Sequence, residues 1–163
     1  MDIKMINYNI RKANEDDASQ IIDLAILKQQ AYMKAQPKNF RRAEPLEEQL
    51  KYIKQQLENK DVFIFVAEKD AKIIGFIEAV MLSAPAFYSK DSHTMIVREL
   101  AVKEVSLLPV VGKDLIAKLK KASNSVVNMA IECGFHDEQQ QKFLKSLGFA
   151  VSTQWYVRDS SDL

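Results

Sequence analysis

The sequence predicts an α+β domain of mixed α/β layers: a central, mostly antiparallel twisted sheet flanked by about four helices. Three observations predict it. Segments of helical and of strand periodicity alternate in the order β-α-α-β-β-β-α-β-α-β. Two apolar runs, Val62 to Ala67 and Ile73 to about Ser83, are joined by Lys69-Asp70-Ala71-Lys72, the turn of a hairpin. The strand His93 to Val102 is followed by a short connection to Gly112-Lys113-Asp114-Leu115, the first turn of a helix whose apolar stripe is Leu115, Leu119 and Ala122.

In chain order, Ile6, Tyr8 and Ile10 alternate with polar residues and read as a half-buried strand to Arg11. Asn14-Glu15-Asp16-Asp17 supplies cap residues and the negative charge that a helix N-terminus favours. Ala18, Ile21, Ile22 and Ala25 form the stripe of a first helix that Gln36-Pro37 ends. Pro45 opens a second helix, with Leu46, Leu50, Ile53 and Leu57 on one face. Val62 to Ala67 is apolar without interruption, as expected of a strand covered on both sides. Ala84 to Ser92 is a loop. In the strand from His93, simple alternation puts Ile96, Leu100 and Val102 on one face and Met95, Val97 and Ala101 on the other. Val126 to Ile131 is a further buried strand. A helix from about Asp137 to Ser146 ends at Gly148, a suitable left-handed cap, and Phe149 to Val157 is the last strand.

Length and composition narrow the classes. The chain has 163 residues, 47% apolar and 28% charged, which fits one globular domain spanning 1–163. A net charge of +1 argues against nucleic acid as the main partner, since neutralising phosphates takes a basic surplus. One cysteine rules out an internal disulfide. No apolar run reaches the roughly 20 residues of a membrane span, and Met1-Asp2-Ile3-Lys4 lacks a signal-peptide core. The expected location is cytoplasmic. The short tail after Phe149 has room for one long strand or two very short ones; a missing final strand would leave a sheet edge open, and a homodimer would cover it.

A strand end, a tight loop and a helix N-terminus make an anion site, because the first helical N–H groups lack intrahelical partners. Here Glu99-Leu100-Ala101-Val102 is followed, after nine residues, by Gly112. This resembles motif A of the GNAT superfamily of N-acetyltransferases. Downstream, Phe143-Leu144-Lys145-Ser146-Leu147-Gly148-Phe149 resembles that family's F-Y-E-K-L-G-F motif, and a hairpin with a Gly-Phe pair such as Gly75-Phe76 is common there. The resemblance covers most of the chain and implies a GNAT-like fold, acetyl-CoA as co-substrate and a primary amine, on a small molecule or a peptide, as acceptor.

The resemblance also implies roles residue by residue. The backbone of Leu100, Ala101 and Val102 would hold the pantetheine arm and polarise the acyl carbonyl; the same residues also read as core strand. The pyrophosphate loop, R-G-x-G-x-G/A in the family, falls on Leu107, Leu108, Val110 and Gly112. Leucine stands at the basic or polar position, Leu108 and Val110 stand on glycine positions, and Pro109 removes a donor. Gly112 is retained and Lys113 adds charge. Without the family pattern, Val105 to Val111 reads as an apolar loop packed on the domain. Asp137 takes the place of an asparagine that often contacts CoA. The family's proton-donating tyrosine is Leu144 here, with Tyr156 and Tyr88 as substitutes.

Deprotonating the amine requires a base. Glu99, at the strand end, is one candidate. Glu132 is the other, aligning with the base of ribosomal-protein N-acetyltransferases. Cys133 reads as a small strand residue, and His93 and His136 lack metal-ligand spacing, so no metal site is expected. Lys38 to Arg42, with Phe40 inside it, is either a solvated loop or a substrate-binding segment between the first two helices. Two functions stand: an acyl-CoA-dependent N-acyltransferase working by direct attack in a ternary complex, or a GNAT-fold binding or regulatory protein whose CoA binding is weakened or lost.

Overall fold

A sheet that is apolar on both faces needs helices on both sides, and the chain supplies them in pairs. The computed structural model describes residues 6–37, 45–83, 93–123 and 128–152. Its elements are β1 (Asn9–Lys12), α1 (Ala18–Ala35), α2 (Leu46–Glu58), β2 (Val62–Lys69), β3 (Lys72–Ser83), β4 (His93–Val102), α3 (Lys113–Ala122), β5 (Asn128–Ile131) and α4 (Glu138–Ser146). The sheet order is β1-β2-β3-β4-β5. The first three pairings are antiparallel, and β4–β5 is parallel. On one face α1 and α2 contribute Ile21, Ile22 and Ile53 against Ile64, Val66 and Phe76. On the other, Leu115 and Leu119 of α3 and Phe143 and Leu144 of α4 cover Ile77, Val97 and Leu100.

Local chemistry explains the boundaries. Asn14 and Asp17 form a reciprocal capping box around a short 3-10 turn, Glu15–Asp17, that leads into α1. Pro45 sits at the N-cap of α2. The β2–β3 turn has two residues, Asp70 and Ala71, both with positive φ (50° and 59°), the mirror-type turn whose twist matches the strands. Asp137 caps α4 by accepting the Gln140 N–H, and Gly148 closes it at φ 88°. The Phe149 N–H then folds back onto the Leu144 carbonyl at 3.1 Å.

Four expectations change. The first strand begins at Asn9, where pairing to Glu68 starts; Ile6 and Tyr8 pack on the core, and among the described residues no strand pairs with them. Residues 149–152 carry no strand, and the rest of the expected last strand lies outside the described residues, as do residues 84–92, 126–127, Lys38 to Arg42, Tyr88 and Tyr156. The faces of β4 are not those of simple alternation. Glu78 pairs with Glu99 but Ala79 with Val97, so Arg98 is an extra residue, a bulge. Beyond it the alternation is reset: Leu100 joins Met95 and Val97 in one cluster while Ala101 lies in the other. Finally, 105–112 is helical rather than a loop: a 3-10 turn, Val105–Leu107, then a π turn, Leu108–Gly112, run directly into α3. Pro109 occupies the first turn of that segment, where its missing N–H costs little.

Leu115 is fully buried between α3 and the sheet. Leu115→Ala is expected to lower unfolding free energy by about 2–5 kcal/mol, read as a shifted denaturation midpoint at unchanged m-value.

Candidate functional site

The site begins where β4 and β5 part. Their pairing runs only from Thr94↔Asn128 to Val97↔Ile131, closed by a hydrogen bond from Glu132 N–H to the Val97 carbonyl at 3.0 Å. β4 continues to Val102. The Lys103 N–H turns toward β3, donating to Ile74 O at 2.9 Å. By alternation the backbone of Leu100 and Val102 faces the opening left by β5. Among the described residues no strand pairs with this edge, and such an edge offers donors and acceptors to an extended ligand.

On the α1–α2 face, the bulge sets two carboxylates side by side, Glu78 on β3 and Glu99 on β4. They floor a cleft of about 560 Å³ whose walls include Gln49, Tyr52, Phe76 and Arg98. Glu78 is buried; it accepts from the Tyr52 hydroxyl at 3.1 Å and forms an ion pair with the Arg98 guanidinium at 3.1 Å. Arg98 donates to the side-chain amide oxygen of Gln56, Oε1, at 3.0 Å. Burial pushes the Glu78 pKa up, the neighbouring Glu99 adds to this, and Arg98 opposes it. A second groove of about 430 Å³ is lined by α2 residues alone, with no such cluster.

Helix α1 reaches across the opening with side chains one turn apart. Lys28 Nζ lies 2.5 Å from Glu99 Oε1 and donates to the Leu100 carbonyl at 3.1 Å. Its side chain is only 14% exposed. Tyr32 accepts the Gly134 N–H at 3.1 Å, lies 3.5 Å from Asp137 Oδ2 and stands edge-on to the His136 ring. Gln36 Nε2 meets His136 Nδ1 at 2.8 Å. Burial raises the Tyr32 pKa, so its phenol keeps its proton. Burial and Asp137 push the Cys133 thiol up to about 11, away from nucleophile chemistry.

The segment 105–112 completes the surroundings. Leu107, Leu108 and Val111 are buried, and Gly112 backs onto Leu108 and the Phe143 ring. Gly112 has helical dihedrals (−62°, −42°), and the Lys113 N–H donates to the Leu108 and Val110 carbonyls. The amide at the expected start of α3 thus has helical partners, because the helix starts earlier.

This arrangement matches known structures. The fold is that of the GNAT acetyltransferases. A point mutant of the BH1408 protein from Bacillus halodurans superposes with a TM-score of 0.82 at 17% identity, over 93% of this chain and 98% of that one. An aminoglycoside antibiotic 6'-N-acetyltransferase from Acinetobacter baumannii gives 0.73 at 13% identity, covering 94% and 98%. A ribosomal-protein-alanine N-acetyltransferase from Brucella melitensis gives 0.69 at 18% identity, covering 93% and 98%. No family model matches the sequence, and among curated proteins no significant match is found.

Within the GNAT fold the sequence-derived candidates separate into three places. Glu99, Leu100, Ala101 and Val102 lie on β4 at the opening. Glu132 follows the last residue of β5 with an exposed side chain, and Asp137 caps α4 beside Tyr32. Leu107, Leu108, Val110, Gly112 and Lys113 lie on the helical segment, only Lys113 of them exposed. Lys28, Tyr32, Glu78 and Arg98 were not candidates. Glu78 carried a signal, as the one carboxylate inside the apolar strand β3; Lys28 and Tyr32 meet partners 71 and more residues away and carried none. Among the described residues no cluster of three His, Cys, Asp or Glu suits a metal ion, and no helix is long and apolar enough to cross a membrane.

Because the folded pKa of Glu78 is raised above its ordinary 4.5, its contribution to stability is full below that value and is lost as pH rises through the folded pKa. Glu78→Gln stays neutral. Its melting temperature relative to the parent is expected to climb between about pH 4 and pH 7, checked by thermal melts across that range; a flat difference would remove the shift.

Proposed function

We propose that this chain is an acyl-CoA-dependent N-acyltransferase that moves an acetyl group from acetyl-CoA to a primary amine, on a small molecule or a peptide, by direct attack in a ternary complex. The observation that carries this reading is the parting of β4 from β5 at the Arg98 bulge, which leaves the Leu100–Val102 edge open beside Glu99. The edge fits an extended pantetheine arm, whose amides would pair with Leu100 and Val102 as a strand would. Near the far end of the arm, the exposed Lys113 side chain supplies positive charge in place of a ring of loop amides.

Bound acetyl-CoA supplies an activated carbonyl, the thioester. The chain's residues do the rest. The cleft between α1, α2 and the sheet admits the amine toward Glu78 and Glu99. A carboxylate whose pKa is raised is a stronger general base than an ordinary one, and burial raises that of Glu78. Glu99 stands one strand over and takes part in the same proton transfer; Glu132, at the end of β5, is the alternative base. Tyr32 holds a proton at the opening, on a residue fixed by Gly134 and Asp137, and so can replace the donor lost at Leu144. Asp137 then serves to position this phenol.

One observation favours a second reading, a GNAT-fold binding protein without catalysis. The 105–112 segment is helical and apolar, and the Lys113 amide is already paired. Calorimetric titration of the folded chain with acetyl-CoA separates the two. Micromolar binding, about −8 kcal/mol, is expected; no heat at millimolar ligand overturns the enzyme in favour of the binding protein. With an acceptor in hand, Glu99→Gln is expected to lower kcat by about 10²–10⁴ while acetyl-CoA affinity stays unchanged.

A further inference from the structure

A lysine at a carboxylate is ordinary on a surface, where both groups are hydrated. Lys28 is different. Its Nζ lies inside the β4–β5 opening, 2.5 Å from Glu99 Oε1 and 3.1 Å from the Leu100 carbonyl, with the Tyr32 ring 5.3 Å away. By contrast, Lys54 and Lys142 make their ion pairs at 3.8 and 3.6 Å with side chains 54% and 71% exposed. An acyl acceptor must stand at the acyl carbonyl, beside a base, and out of bulk water. Lys28 stands beside a base and out of bulk water, and the acyltransferase reading puts it at the acyl carbonyl too, because the backbone carbonyl it touches belongs to the strand edge assigned to the thioester arm.

We propose that Lys28 is itself acylated: the chain carries a self-modification site for an acyl thioester of the acetyl-CoA class. The inference rests on the acyltransferase reading above. In the step, the Lys28 ammonium gives a proton to Glu99, and the freed Nζ lone pair forms a bond to the thioester carbonyl carbon. The carbon–sulfur bond breaks with its electron pair on sulfur, and the thiolate takes the proton held by Glu99 and leaves as thiol, which returns Glu99 to its carboxylate. A second proton is released to solvent as the amide forms. The product replaces a cation with a neutral amide, so the ion pair to Glu99 is broken and Glu99 is released to face the acceptor cleft. Self-acylation thereby switches the base from a lysine-bound to a free state.

The test incubates the full chain with isotopically labelled acetyl-CoA and follows each lysine by peptide mass spectrometry, while calorimetry on the same preparation records acetyl-CoA binding. Lys28 is expected to label at least about tenfold faster than exposed Lys54, and Glu99→Gln is expected to slow Lys28 labelling by about 10²-fold with binding retained. Should Glu99→Gln fail to fold, Glu99→Asp, with the carboxylate withdrawn by one methylene, is expected to slow labelling as well. Acetyl-CoA binding with Lys28 labelled no faster than Lys54 overturns the self-modification alone. Labelling unaffected by the Glu99 variants overturns it too. Absence of binding overturns both this inference and the acyltransferase reading.

Discussion

One extra residue governs the structure. Arg98 has no partner of its own on β3, and β4 cannot pass it without turning. Three consequences follow from this single irregularity. The side chains beyond it change faces, so Leu100 enters the same core as Val97. Glu99 moves to the α1–α2 face and stands beside Glu78. The strand also leaves β5 at the same point, since their pairing stops at Val97 and Ile131. Core, charge and cleft therefore depend on one insertion in one strand.

Two adjacent carboxylates on a half-dry sheet face would be costly without cations. At 4 Å, unit charges interact by about 4 kcal/mol at an effective dielectric of 20, and removing one partner of a buried pair typically costs about 3–5 kcal/mol. The protein meets this with one cation for each acid, Arg98 for Glu78 and Lys28 for Glu99. The two cations differ in kind. Arg98 sits on the bulge itself and spreads its charge over a fixed fork that also holds Gln56 of α2. Lys28 is a single donor on a flexible stem from a different layer. Charge balance at the site thus ties both α1 and α2 to the sheet.

Much of the fold was legible because it follows from local chemistry. The hairpin at Asp70-Ala71, the cap at Asn14, Pro45 at the head of α2 and Gly148 at the end of α4 all act within a few residues. What the chain order hid was long-range or irregular. Alternation cannot say which residue a strand skips, although two consecutive charges, Arg98 and Glu99, inside an apolar strand were a hint. The helical continuation of α3 was masked by Pro109, yet Val111, Leu115 and Leu119 already recur at helical spacing. The backbone candidates at Leu100 to Val102 came from the family resemblance. The side chains that face them from α1 were not, since nothing within one helix marks what it will meet seventy residues on.

The helical run ahead of α3 has a dynamic consequence. A glycine-rich loop exchanges its amide hydrogens quickly until a ligand orders it. Here the corresponding segment is built of 3-10 and π turns, with Leu107, Leu108 and Val111 anchored in the main cluster. Its opening is therefore tied to the cooperative unit that holds α3 on the sheet. Protons along it are held back by the stability of the core itself, so the segment is ordered without a ligand.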